Sequence, residues 1–341
     1  MAAIAERAPG AGREGRGPLS VRVLVIALVA QFAVAGMAIY FAVEGWPFVG
    51  GGRHAQPVAS RAGGPAPKGA AAQTAPAVPP ATVDRFDGDR AFALLRHEVS
   101  AYGFRPAGSP ALRRLASDLR ARLPRGRLEP VLGHAGLRNV VGVVPGRLPA
   151  IVVGAHYDTQ PEPAGYLGAN DSAAGTAAVV ELARTLARSH RPRGARELRF
   201  VLFDGEELPA GRKDFLRDAL RGSRAYVAAH RGEIREMVLL DYVAGAGLRL
   251  PREQTSTPAL WARMRAAAQR VGVGAVFPAA EQTGIWDDHT PFLDAGIPAI
   301  DLIDFSYPQE GTLQDDLAHV SARSLDAVGE AVLSLLLTER R

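Results

Sequence analysis

The chain has 341 residues, a formal net charge of +5, 6% aromatic residues and no cysteine. That length accommodates one large α/β domain plus extensions. The lack of cysteine excludes disulfides and thiolate metal sites. Arginines spread along helical patterns, with no dense basic run, argue against a nucleic-acid partner, which needs a clustered patch.

Residues 1–22 form a basic tail containing Arg7, Arg13, Arg16 and Arg22. Residues 23–43 are uncharged and long enough to cross a bilayer core of about 30 Å. They exceed the usual signal-peptide apolar stretch of about 7–15 residues, although Ala33-Val34-Ala35 offers a cleavage site as the alternative reading. With the arginines before the run and Glu44 after it, the positive-inside rule places the N-terminus in the cytoplasm. The expectation is a single-pass cell-membrane protein with its catalytic domain outside the cytoplasm. Residues 44–83, rich in Pro, Gly and Ala, read as a solvated linker to a domain at 84–341.

Two helical patterns open the domain. Ala91, Leu94, Leu95 and Val99 share one face of the first; Leu112, Leu115, Leu119 and Leu123 share one face of the second. Ser109 is a natural N-cap for the second, with Pro110 at its first helical position. Strands are predicted at 128–132, 139–144, 151–155, 198–203, 237–240 and 299–303. Helices are predicted at 173–189, 225–230, 258–271 and 322–337. Short β-branched runs alternating with helices predict a single doubly wound, mostly parallel sheet flanked by helices.

Four of the apolar runs lead into residues able to bind a metal. These are His156, then Asp204-Gly205-Glu206-Glu207, then Asp241, then Asp301; Asp171 stands just before a helical pattern. Ligands of open α/β sheets collect beyond the carboxyl ends of the strands. His, Asp and Glu gathered there are the ligand types of catalytic zinc. Each residue also has an ordinary reading: a structural histidine, an Asp helix cap, a solvated acidic turn. Glu206-Glu207 resists the last, because adjacent carboxylates at a strand end repel unless a cation or shared proton relieves them. One can bind metal while the other serves as general base. Asp158 can orient the His156 imidazole.

The ordered motifs His156-Tyr157-Asp158, Gly168-Ala169-Asn170-Asp171-Ser172 and Phe203-Asp204-Gly205-Glu206-Glu207 resemble the M28 zinc metallopeptidases. Gly222-Ser223-Arg224, Leu239-Leu240-Asp241 and Asp287-Asp288-His289-Thr290-Pro291-Phe292 are similar to the glutaminyl-peptide cyclotransferase branch. The resemblance spans about residues 86–337 and leaves out the apolar run and linker. It implies the zinc aminopeptidase-like α/β fold and one or two zinc ions. Asp171 would be the central ligand, completed by His156 and Asp241 on one side. Glu207 would hold the other side with a late histidine. Glu206 would be the general base or proton shuttle, Asp288 a catalytic partner, and Asp287 and His289 substrate-side residues.

The late histidine is missing. Thr312 and Asp315 keep the register, so Gly311 falls at the ligand and Glu310 beside it. Glu310 and His319 are the candidate substitutes. The resemblance implies an enzyme acting on peptide N-termini, closing N-terminal glutamine to pyroglutamate with release of ammonia. Zinc aminopeptidase activity is the alternative, and a binding protein impaired by Gly311 is a third.

Overall fold

Apolar segments of the domain pair into a six-stranded sheet. The computed structural model describes residues 58–59, 77–190 and 192–338. The strands are β1 (Arg127–Pro130), β2 (Arg138–Val144), β3 (Arg147–His156), β4 (Arg196–Phe203), β5 (Ile234–Asp241) and β6 (Ala299–Ile303). Their spatial order is β6-β5-β3-β4-β2-β1. β6, β5, β3 and β4 run parallel, whereas β2 and β1 pair antiparallel at one edge. The mostly parallel expectation holds for the centre. The antiparallel edge follows from short connections, since β1 reaches β2 through a few turn residues and no crossover helix intervenes.

The helices are α1 (Gly88–Tyr102), α2 (Pro110–Arg122), α3 (Gly175–Arg188), α4 (Arg221–His230), α5 (Pro258–Arg270) and α6 (Ala322–Thr338). Ser109 caps α2 by accepting from the Leu112 N–H at 3.1 Å. Strand periodicity sorts the side chains between two cores. Ile151, Val153 and Ala155 of β3 join α1, α2, α3, α5 and α6 in one core. Val152, with Val201 and Phe203, packs on the other face against Tyr226 and Val227 of α4. Helices on both faces explain why the central strands read as mostly apolar runs.

Among the described residues, no helix is long and apolar enough to cross a membrane. This corrects the expectation of a single-pass membrane protein with an extracytoplasmic domain: the apolar faces of the described helices are spent on the sheet. The run at 23–43, on which that expectation rested, lies outside the described residues. Within the presumed linker, Val58–Ala59 pairs in parallel with Ile285–Trp286. Val78 is buried and the Thr82 N–H donates to the Val271 carbonyl, so this part of the chain is held against the domain.

The sheet register sets the functional end. His156 of β3 pairs with Phe203 of β4. Gly154 pairs with Leu239, which carries His156 alongside Asp241 at the end of β5. The close approach of α3 fixes the depth: a Cβ on Gly175 would lie 2.2 Å from the Leu240 carbonyl oxygen.

Glu98, on the buried face of α1, has no hydrogen-bond partner for either carboxyl oxygen. Burial pushes its pKa from 4.5 up to about 8, against the pull of Arg105. A carboxyl that holds its proton more tightly when folded loses stabilisation as pH rises between those values. Wild-type stability should therefore decline from about pH 5 to pH 8 relative to Glu98→Gln. Urea melts of both proteins at the two pH values test this; parallel pH profiles would refute it.

Candidate metal centre

The residues that close β3, β4 and β5 meet in one buried basin. His156 Nε2 lies 3.0 Å from Asp171 Oδ1 and 3.5 Å from Asp241 Oδ1, while Nδ1 lies 3.7 Å from Asp158 and 3.9 Å from Glu206 Oε2. One ligand atom each from His156, Asp171 and Glu207 lies within 4.8 Å of the others. That grouping takes His156 from one half of the expected site and Glu207 from the other. Asp241 flanks it from the end of β5.

Each candidate ligand has its own support. Asp171 sits in a distorted turn, Ala169–Ala174, at φ −98° and ψ 80°, so that α3 starts at Gly175 rather than at the predicted 173. Asp315 fastens that turn: its carboxylate accepts from the Asn170 N–H at 2.8 Å and the Asp171 N–H at 3.0 Å. Beneath it runs the fully buried Arg105. Its guanidinium donates to the Tyr157, Leu167 and Gly168 carbonyls and to Ser172 Oγ, tying the β3 exit to the Asp171 turn.

The Glu206-Glu207 loop turns at Gly205, where φ is +80° and a side chain would be strained. Asp158 accepts from the Glu206 N–H at 3.2 Å and the Glu207 N–H at 3.3 Å. It therefore holds the loop as well as facing the imidazole. From the outside, Arg221 at the start of α4 donates to the Gly205 and Glu207 carbonyls. Sequence reasoning missed Arg105, Arg221 and the anchoring role of Asp315. An arginine beside Pro106 in an apolar turn was a signal for the first; nothing local marks the other two.

The electrostatics ask for a cation. Burial pushes Glu206 and Glu207 well above the usual carboxylate range, and their neighbours' negative charge adds to it: Glu207 for the first, Asp171 for the second. Asp241 is pushed up to about 7 by burial, despite His156. Burial alone would keep His156 neutral, but Asp158, Asp171 and Asp241 raise its pKa well above the ordinary value. The attraction is undirected, since neither ring nitrogen has a well-aligned hydrogen-bond partner. One imidazolium cannot balance so many buried carboxylates, and a divalent ion with nitrogen and oxygen ligands can. The donor set fits zinc, and would also accept cobalt or manganese.

The remaining sequence candidates separate. Asp287 and Asp288 are buried, and their charges act on Glu206. Asp288 has no hydrogen bond of good geometry for either oxygen. His289 turns away into a second buried cluster, with Nε2 2.8 Å from Thr255 Oγ1 and 3.4 Å from Glu253. Asp301 lies within β6 rather than at its end, 3.8 Å from His289 Nδ1. Gly311 has φ +64°. Glu310 is pushed up to about 7 by burial and by the charge of Asp171. His319 lies 2.9 Å from Asp316 in a hydrogen bond at the surface, with its side chain 38% exposed.

A family model described as peptidase family M28 matches residues 139–336. Aminopeptidase YwaD of Bacillus subtilis is 29% identical over 197 residues, 53% of this chain and 39% of that protein. Glutaminyl-peptide cyclotransferase of Boiga irregularis is 27% identical over 223 residues, 53% and 59% respectively. The chain thus spans less than two thirds of the length of these curated relatives. The crystal structure of an Acidobacteriales bacterium glutaminyl cyclase superposes with a TM-score of 0.66 at 28% identity, covering 79% of this chain and 99% of that one. Porphyromonas gingivalis glutaminyl cyclase gives 0.66 at 25% identity, covering 75% and 100%.

The double acceptor role of Asp158 makes a specific prediction. In Asp158→Asn one loop N–H faces an amide nitrogen instead of an oxygen, which should cost about 1–3 kcal/mol. Displacement of Glu207 should weaken zinc binding about 10–100-fold. Denaturation and calorimetric zinc titration measure the two effects, and an unchanged zinc affinity would show that Asp158 does not position the ligand.

Proposed function

The chain belongs to peptidase family M28, and from that premise we propose that it is a zinc-dependent enzyme acting on peptide N-termini, of the glutaminyl-peptide cyclotransferase type. The observation that carries the reading is the state of Glu206. Its carboxyl is buried beside the cluster, 3.9 Å from His156 Nδ1, and its Oε1 has no hydrogen-bond partner. A buried carboxyl with a raised pKa and a free oxygen is suited to taking and returning a proton.

His156, Asp171 and Glu207 would hold the ion. Bound zinc supplies Lewis-acid polarisation of the substrate carbonyl. Glu206 accepts a proton from the substrate α-amine as that nitrogen bonds to the side-chain amide carbon. It returns the proton to the amide nitrogen, the carbon–nitrogen bond breaks, and ammonia leaves behind a pyroglutamyl terminus. Asp241, Asp287 and Asp288 line the same basin and attract the N-terminal amine. As hydrogen-bond acceptors for the neutral, nucleophilic amine, they favour a chain end over an internal peptide segment.

Aminopeptidase action is the second reading, supported by the similarity to the Bacillus subtilis aminopeptidase. Glu206 would then take its proton from the attacking water, and the first residue would be released. The products separate the two: ammonia and a pyroglutamyl peptide in one case, a free amino acid in the other.

Glu206→Gln should lower turnover of a glutamine-initiated peptide by about 10²–10⁴-fold while zinc remains bound. Ammonia release and metal analysis on the same preparations test this. Full activity in the variant would remove Glu206 from the chemistry, and a metal-free wild type that turns nothing over would sink the enzymatic reading.

A further inference from the structure

Asp171 uses its two carboxyl oxygens differently. Oδ1 faces His156 Nε2 at 3.0 Å. Oδ2 accepts from the Tyr242 hydroxyl at 2.8 Å and lies 2.9 Å from the Tyr166 hydroxyl. A carboxylate oxygen has two lone pairs, and two phenol oxygens lie within hydrogen-bond distance of Oδ2. Tyr166 also reaches Asp315 Oδ2 at 3.0 Å, so its single proton serves either carboxylate, but its oxygen occupies the same place in both cases.

Both rings are locked. Tyr166 is fully buried. Tyr242 packs on Tyr307 with ring centroids 5.9 Å apart, and the Tyr307 hydroxyl is itself bound to Asp315 at 3.1 Å. A second ion bridged by Asp171 would have to displace two held hydroxyls and would find no donor at Gly311.

We infer that Tyr166 and Tyr242 close the second metal position, so that the centre takes one ion on the His156, Asp171 Oδ1 and Glu207 side. This inference rests on the metal reading made under Proposed function. The tyrosines act through Asp171: they leave Oδ1 as its one free coordinating oxygen and fix the direction in which it points. The absent late ligand and the paired hydroxyls are then two parts of one arrangement, and restoring a histidine alone does not reopen the position.

The test is zinc stoichiometry, read by calorimetric titration of the metal-stripped full chain and independent of activity. The native chain and Gly311→His should each bind one ion. Adding Tyr166→Phe and Tyr242→Phe to Gly311→His should produce a second, weaker binding event. Two ions in the native chain or in Gly311→His would overturn the inference, as would a single ion in the triple variant. No ion in the native chain would instead refute the underlying metal reading and the inference with it.

Discussion

Buried negative charge is the constraint on which the rest of this structure depends. Asp158, Asp171, Glu206, Glu207, Asp241, Asp287 and Asp288 all lie buried around or beside one imidazole. Left to themselves such groups would separate or take up protons. The fold prevents separation through its backbone hydrogen bonds. Asp158 holds the Glu206-Glu207 loop by its N–H groups, Asp315 holds the Asp171 turn the same way, and Arg105 and Arg221 grip carbonyls behind both loops. The site is preorganised for a cation because the anchors pull on the main chain and leave the carboxylate tips facing one another.

The same logic explains the division between the two halves of the centre. His156, Asp171 and Glu207 stand close enough to share an ion, and Asp241 lies at their edge. On the other side of Asp171 two tyrosine hydroxyls lie against Oδ2, and Gly311 itself has no donor atom. Glu310 senses the charge of Asp171, but His319 has gone to the surface with Asp316. With the closure inferred above, the candidate centre gathers its ligand atoms toward β3 and not toward the loop that follows β6. The proton transfer proposed for Glu206 needs only the side toward β3.

Much of the fold was legible in the residues. Mostly apolar runs of strand length, each ending on a polar residue, located β3, β4 and β5, because a strand buried on both faces is predominantly apolar until it nears the sheet edge. Ser109-Pro110 marked the start of α2 for local reasons. Direction was less legible: β2 looks like its neighbours but runs antiparallel to β4, since pairing partner and polarity depend on connection length. Asp301 was misplaced because apolar Leu302 and Ile303 continue its strand beyond it. His289, part of an acidic motif, turns toward Glu253 and Thr255, residues far from it in sequence.

By itself the sequence determined the candidate ligand types and their positions at strand ends, which follow from residue chemistry and local periodicity, while the resemblance of its ordered motifs pointed to the family. Only the tertiary structure decided which of those residues meet. Sheet register put His156 beside Asp241, and a distorted turn pinned by Asp315 swung Asp171 between His156 and two tyrosines. Neither tyrosine carries a sequence signal for that role. Their hydroxyls matter through distances to a single carboxyl oxygen, and those distances exist only once segments remote in the chain are packed together.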